Sequence, residues 1–124
     1  MKARRLMRVD RLPLRKLSSD LTLIECDRVI LRAAALGELT EADAADRRAH
    51  LTAAASHWQI LRIGPEIVER ARQPFPGEPI RTLDAIHLAS ALVARTAIVG
   101  LTLLSLDDRV RKAGKKLGLD IIPD

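Results

Sequence analysis

Three acidic residues occupy positions that a role on the solvated surface explains poorly. Glu25 lies within a predicted helix among apolar residues at one-turn spacing, and Asp84 opens a helix whose next turns are nearly all apolar. Asp107 follows the apolar run over residues 101–106. Taken singly, Glu25 can pair with a nearby arginine, and the two aspartates can stabilise helix N termini. Taken together, clustered carboxylates repel one another, and a hard divalent cation such as Mg²⁺ or Mn²⁺ relieves that repulsion.

Four neighbouring side chains are secondary candidates. Asp108 can bind a second metal ion or cap the helix that it opens, and the capping role is favoured. Ser105 can hydrogen-bond substrate or water, or lie on a strand face. Arg81 can bind a substrate phosphate, pair with a site carboxylate, or stay at the surface. His87 shares a helix face with Asp84, but a carboxylate-rich magnesium site does not need an imidazole, so a structural role is expected.

The elements that must position these residues alternate between helices and short strands. Apolar periodicity and capping residues predict helices over residues 19–36, 40–56, 66–72 and 83–95, and a last one from Asp107 or Asp108 to Gly118. Ser19, Thr40 and Thr82 are the predicted N-terminal caps of the first, second and fourth of these helices. Short apolar or alternating runs predict strands over residues 14–18, 58–62, 101–106 and 119–122. The continuous apolar run over residues 101–106 is typical of a strand buried on both faces of a parallel sheet. This alternation predicts an α/β fold with a mostly parallel sheet. In such sheets ligands bind beyond the carboxyl ends of the strands, where Asp107 is expected.

Basic charge is concentrated at the N terminus. Residues 1–16 contain seven basic residues and one acidic residue, whereas residues 17–124 contain 14 basic and 15 acidic ones. A basic arm of this kind can contact a phosphate backbone or an acidic protein, and a solvated chain end explains it equally well. Trp58 and Phe75 are the aromatic residues of the chain, which disfavours RNA recognition by stacking on aromatic side chains.

The composition also predicts where the protein resides. A single cysteine, Cys26, excludes an internal disulfide and fits a reducing cytoplasm. No signal-peptide pattern follows Met1, and the longest apolar run, over residues 97–106, is too short to span a bilayer. We therefore expect a cytoplasmic protein that is not embedded in a membrane.

Three stretches of the chain share one resemblance. Residues 18–25 (SSDLTLIE) end in Glu25, residues 81–91 (RTLDAIHLASA) contain Asp84, and residues 104–110 (LSLDDRV) contain Asp107 and precede the ending GLDIIP at 118–123. In this order and spacing they resemble the VapC-type toxins of the PIN-domain family over about residues 14–124. The stretch around Asp84 is the specific one.

This resemblance implies a fold, a chemistry and partners. The fold would be a three-layer domain with a mostly parallel central sheet flanked by helices. The activity would be endoribonuclease cleavage of RNA that depends on Mg²⁺ or Mn²⁺, with Glu25, Asp84 and Asp107 as catalytic metal ligands. The protein would be the toxin of a type II toxin–antitoxin system, with RNA as substrate, a cognate antitoxin as partner and a homodimer as its assembly.

The sequence departs from the family at its N terminus. The family begins with an apolar strand that ends in a metal-binding aspartate, whereas the 24 residues before Glu25 are basic. Asp10 is the one candidate there. If residues 6–9 formed the strand that ends at Asp10, about four residues would connect it to the strand over residues 14–18, which is too few for a parallel crossover. We therefore expect a basic segment over residues 1–16 and an N-terminally truncated PIN-like domain over residues 17–124.

Two other functions remain open at this point. The chain can be a non-catalytic PIN-like remnant that binds an antitoxin-type protein or dimerises. The missing N-terminal aspartate favours this function. It can also be a small nucleic-acid-binding protein that uses residues 1–16. RNA binding that falls steeply with salt and survives the loss of all three carboxylates would indicate the latter.

Overall fold

The structure, a computed structural model, describes residues 17–124. In chain order the elements are β1 (Leu17–Ser19), α1 (Asp20–Ala35), α2 (Glu41–Ala55), β2 (Gln59–Leu61), α3 (Pro65–Ala71), α4 (Thr82–Ala97), β3 (Thr102–Leu104), α5 (Asp108–Lys116) and β4 (Asp120–Ile122). The predicted alternation of helices and short strands is confirmed. Asp10, the basic segment and the start of the predicted strand over residues 14–18 lie outside the described residues.

The described chain divides into two units, residues 17–63 and residues 64–124. In the described part of the first unit, β1 pairs in parallel with β2, and Leu17 lies opposite Gln59. Helices α1 and α2 form the connection and pack against each other. The Arg48 Nε donates to Asp27 Oδ1 at 3.0 Å and joins the two helices at their exposed side.

Ser19 and Thr40 are the predicted caps of the two long helices in this unit, α1 and α2. Thr40 caps α2 as predicted, because its Oγ1 accepts the Asp43 N–H at 3.0 Å. Ser19 is the residue before α1, but its side chain makes no capping hydrogen bond. The Ser19 side chain is instead buried. The predicted position of this helix start is confirmed, while the predicted capping by Ser19 is wrong.

In the second unit, β3 pairs in parallel with β4, and α5 connects them in the chain. Helix α3 packs on α4, and α4 contacts α5. The buried apolar side chains of this unit belong to these helices and their connections: Ile67, Phe75, Ala85, Leu88, Ala89, Ala94, Val110, Ala113 and Leu119. A glycine, Gly114, lets α5 approach the strands closely, since a Cβ there would lie 2.8 Å from Ile121 Cδ1.

The described strands differ from the predicted sheet in extent and arrangement. They form two separate two-stranded parallel sheets, so parallel pairing is confirmed, but one central sheet in a three-layer arrangement is not. The strand predicted over residues 101–106 to be buried on both faces is Thr102–Leu104, and Leu104 is 38% exposed. It ends early because Ser105 and Asp107 form a hydrogen-bonded turn.

Helix α4 begins one residue earlier than predicted. Arg81, with extended backbone angles, is the capping residue, and Thr82 is the first residue of the helix. The Arg81 carbonyl accepts the Ala85 N–H at 2.9 Å, which closes the first turn. Thr82 therefore does not cap the helix as predicted. None of the helices within residues 17–124 has the length and apolar character needed to cross a membrane.

Candidate carboxylate site

The loop that leads into α4 is held by one carboxylate. Glu78 accepts the Phe75 N–H at 2.9 Å and the Ile80 N–H at 2.6 Å, so its two oxygens fix the backbone on both sides of it. The Phe75 ring is buried, and the Arg70 guanidinium lies 4.2 Å from its centroid. Sequence reasoning missed Glu78. Its one signal was a carboxylate in a loop otherwise rich in proline and glycine.

Asp84 lies in the first turn of α4 and is the more buried of the two predicted ligands in this unit. Its side chain is 15% exposed, compared with 41% for Asp107. Leu88, one turn further on, is fully buried and anchors the same helix face in the core. The Arg81 Nε donates to Asp84 Oδ2 at 3.0 Å. The buried helix face and the ion pair together fix where this carboxylate lies.

Asp107 caps α5. Its Oδ1 accepts the Arg109 N–H at 2.9 Å and the Val110 N–H at 3.2 Å. The capping role that was favoured for Asp108 therefore belongs to Asp107, and Asp108 lies in the first helical turn. The reason is that the chain leaves β3 in a turn in which the Asp107 N–H donates to Ser105 Oγ at 3.2 Å. Ser105 has this structural role, and its contact with substrate stays a prediction.

A single guanidinium joins the two aspartates. Arg81 Nη2 donates to Asp107 Oδ2 at 3.1 Å, while Arg81 Nε bonds Asp84. Of the three roles open to Arg81 from sequence, the structure shows pairing with site carboxylates. The hydrogen bond to Asp84 raises the pKa of Arg81, and the charges of both aspartates raise it further. Two carboxylates thus share one positive charge, which offsets their mutual repulsion.

The turn that carries Asp107 is also clamped from α5. Arg111 Nη1 donates to the Ser105 carbonyl at 2.8 Å, and its Nη2 donates to the Pro123 carbonyl at 2.6 Å. One side chain therefore ties the end of β3 to the segment after β4. Sequence reasoning missed Arg111, because nothing distinguished it from the other basic residues of a basic helix. It is a positioning residue for Asp107.

Glu25 and the two aspartates belong to different units, and Glu25 lies half-buried on α1 in the unit of residues 17–63. Within residues 17–124, no group of three or more His, Cys, Asp or Glu side chains is arranged to hold a metal ion. The structure thus brings Asp84 and Asp107 together around Arg81, while a site of all three carboxylates stays a prediction. His87 lies half-buried on α4, and its predicted structural role also stays a prediction.

Capping lowers the pKa of the Asp107 carboxyl below its ordinary 3.8, first through the Val110 N–H and then through the Arg109 N–H and nearby positive charges; burial opposes this. As the pH falls, the Asp107 carboxyl therefore takes up a proton at a higher pH in the unfolded chain than in the folded protein. The stabilisation of the folded protein by the Asp107 carboxylate is complete above pH 3.8 and is lost as the pH falls through the lowered pKa.

Asp107→Ala should lower the unfolding free energy at pH 7 by about 1 kcal/mol, whereas Asp107→Asn should retain most of the cap. Urea unfolding at several pH values measures both effects, and equal losses in the two variants would contradict the capping role.

The chain is similar to known proteins over most of its length. The model of the PIN domain family matches residues 1–116. Over 69 residues, which are 56% of this chain, the sequence is 41% identical to "Ribonuclease VapC46" of Mycobacterium tuberculosis. The match covers 51% of that relative, so the chain spans about half the length of the curated relative it matches.

Proposed function

Because this chain belongs to the PIN domain family, we propose that it is a metal-dependent endoribonuclease of the VapC toxin type. The observation that carries the proposal is the meeting of Asp84 and Asp107, two residues predicted as metal ligands, around one cationic group at 3.0 and 3.1 Å. The 41% identical relative is named a ribonuclease, which supports the same chemistry.

The donor set supports a hard divalent cation as cofactor. Asp84 and Asp107 offer carboxylate oxygens, and Mg²⁺ in enzymes is often held by one or two carboxylates together with water and substrate phosphates. Mn²⁺ accepts the same oxygen donors. Because Asp107 Oδ1 is engaged in the helix cap, Oδ2 is the oxygen that we assign to the metal. Glu25 is the proposed third ligand, and Asp108 is a further candidate at the start of α5.

Different residues of the site have different proposed roles in phosphodiester cleavage. A divalent cation, when bound, supplies Lewis acidity that favours deprotonation of water and neutralises charge on the phosphoryl oxygens. Asp84 and Asp107 hold the negative charge that attracts the cation. Ser105, whose Oγ already contacts the Asp107 backbone, is proposed to orient substrate or water from the same turn. The hydrogen bonds of Glu78 and Arg111 keep both loops in place, so the ligands need little reorganisation.

The proposed partners follow from the VapC type. RNA is the substrate, a cognate antitoxin is the protein partner, and a homodimer is the proposed assembly. The non-catalytic alternative predicts a protein that binds an antitoxin or dimerises, binds Mn²⁺ weakly or not at all, and leaves RNA intact.

Cleavage of RNA with and without chelator tests the proposal. We expect the wild type to cut single-stranded RNA in Mg²⁺ or Mn²⁺, to stop in EDTA and to recover when the metal is restored. Asp84→Asn should lower the rate by about 100-fold or more, because groups that merely support a metal ligand already contribute 10- to 100-fold. Asp46→Asn, which neutralises an exposed carboxylate on α2, is the matched control and should cut normally. Activity that persists in EDTA and in Asp84→Asn would overturn the proposal.

A further inference from the structure

Helix α5 presents a row of positive charge to solvent. Its buried residues, Val110, Ala113 and Gly114, face the strands. The exposed basic residues lie on the other side of the helix, and we call them the α5 basic stripe: Arg109, Lys112, Lys115 and Lys116. Successive members are three, three and one residues apart, which places them within about a third of the helix circumference. The fifth basic residue of the helix is Arg111, which is engaged with two carbonyl groups.

The charge of this helix contrasts with the rest of the described chain. Residues 108–116 contain five basic residues and one acidic residue, a net charge of +4. Residues 17–124 contain 14 basic and 15 acidic residues in total, so those outside α5 contain 9 and 14, a net charge of −5. A concentration of one sign on one face is the electrostatic pattern of a polyanion-binding surface.

The lysines of the stripe form no ion pairs within the described residues. Among residues 17–124, no acidic side chain lies within ion-pair distance of Lys112, Lys115 or Lys116. Elsewhere on the described chain several arginines are engaged, as Arg48 is with Asp27 and Arg81 with two aspartates. Exposed lysine charges without ion-pair partners are available to bind phosphates.

The stripe begins at the candidate carboxylate site. Arg109 lies two residues after Asp107 and donates its backbone N–H to that carboxylate. From Arg109 to Lys116 the helix rises about 10 Å, at about 1.5 Å per residue. That length accommodates a few consecutive phosphates of a single strand, whose backbone a basic surface can follow. A strand lying along α5 would therefore reach the carboxylates with its backbone already neutralised.

From this geometry we infer that the α5 basic stripe binds the phosphate backbone of single-stranded RNA and leads it to Asp107 and Asp84. The inference rests on the proposed function for its substrate and adds the surface that holds it. RNA is favoured over an acidic protein partner because the stripe is continuous with the site of the proposed phosphodiester chemistry.

Binding without cleavage tests this inference separately. The full chain is titrated against a fluorescent single-stranded RNA of about 12 nucleotides in EDTA, and anisotropy gives the Kd at several salt concentrations. We expect Lys112→Gln/Lys115→Gln/Lys116→Gln to weaken binding by roughly 10- to 50-fold near physiological salt. The slope of log K against log salt should fall by about 2, since each contact with a single strand contributes about 0.7. Gln retains the helix propensity of Lys, so α5 should remain folded.

A charge-matched control is available in the other unit. Arg32→Gln/Arg47→Gln/Arg62→Gln removes three exposed positive charges and should leave the Kd within about twofold of the wild type. Equal weakening in both triple variants, no weakening in the lysine variant, or no RNA binding by the wild type would each overturn the inference. Lysine-dependent binding without any cleavage in Mg²⁺ would uphold the stripe and contradict the proposed nuclease instead.

Discussion

Replacing Arg81 with Gln should increase the affinity of the protein for Mn²⁺ by about 10-fold. The Arg81 guanidinium donates to Asp84 Oδ2 at 3.0 Å and to Asp107 Oδ2 at 3.1 Å, so it occupies the Asp107 oxygen that we assign to the metal and one of the two Asp84 oxygens. A divalent cation must displace these contacts to use the same oxygens. Without Arg81 the two carboxylates repel each other, and a cation relieves that repulsion. Calorimetric titration with Mn²⁺ measures the change.

Two further variants separate competition at the site from a general loss of charge. Arg72→Gln removes an arginine that pairs with Glu69 at the same three-residue spacing on an exposed surface, and it should leave Mn²⁺ affinity unchanged. Arg81→Lys keeps the charge but cannot offer two nitrogens in a planar fork, so its affinity should lie between those of Gln and wild type. Unchanged or weaker Mn²⁺ binding in Arg81→Gln would show that the guanidinium supports the site and does not compete with the metal.

Replacing Leu88 with Ala should lower the free energy of unfolding by about 2–5 kcal/mol. Leu88 is fully buried on α4, so truncation removes its apolar contacts and leaves a cavity. A loss of this size is a large part of the 5–15 kcal/mol that typically stabilises a domain. Because Leu88 lies one turn after Asp84, the same change should loosen the helix face that places this carboxylate. Urea unfolding gives the stability.

The same helix provides a control for burial. Leu83 is 46% exposed, and Leu83→Ala should cost about 0.5 kcal/mol or less. Equal losses at Leu83 and Leu88 would contradict the placement of the core on the inward face of α4.

Local patterns in the sequence predicted the order and type of the described elements. Apolar spacing identified α1, α2 and α4, Thr40 marked the start of α2, and the alternation with short strands predicted parallel pairing. These features depend on neighbours within a few residues, through side-chain periodicity and hydrogen bonds close in sequence. The stretch around Asp84 likewise indicated the family, which the match over residues 1–116 confirms.

The contacts that build the site were decided by tertiary structure. Arg81 reaches Asp107 across 26 positions of the chain, and Arg111 reaches the Pro123 carbonyl across 12. Both contacts form only when α4, α5 and the ends of β3 and β4 pack together. No pattern of residues close in sequence therefore predicts them. The choice of Asp107 over Asp108 as the cap has the same origin, because the turn after β3 determines which carboxylate faces the free N–H groups of α5. The sequence alone identified Glu25, Asp84 and Asp107 as candidate ligands, and packing brought two of them, Asp84 and Asp107, to a single cation.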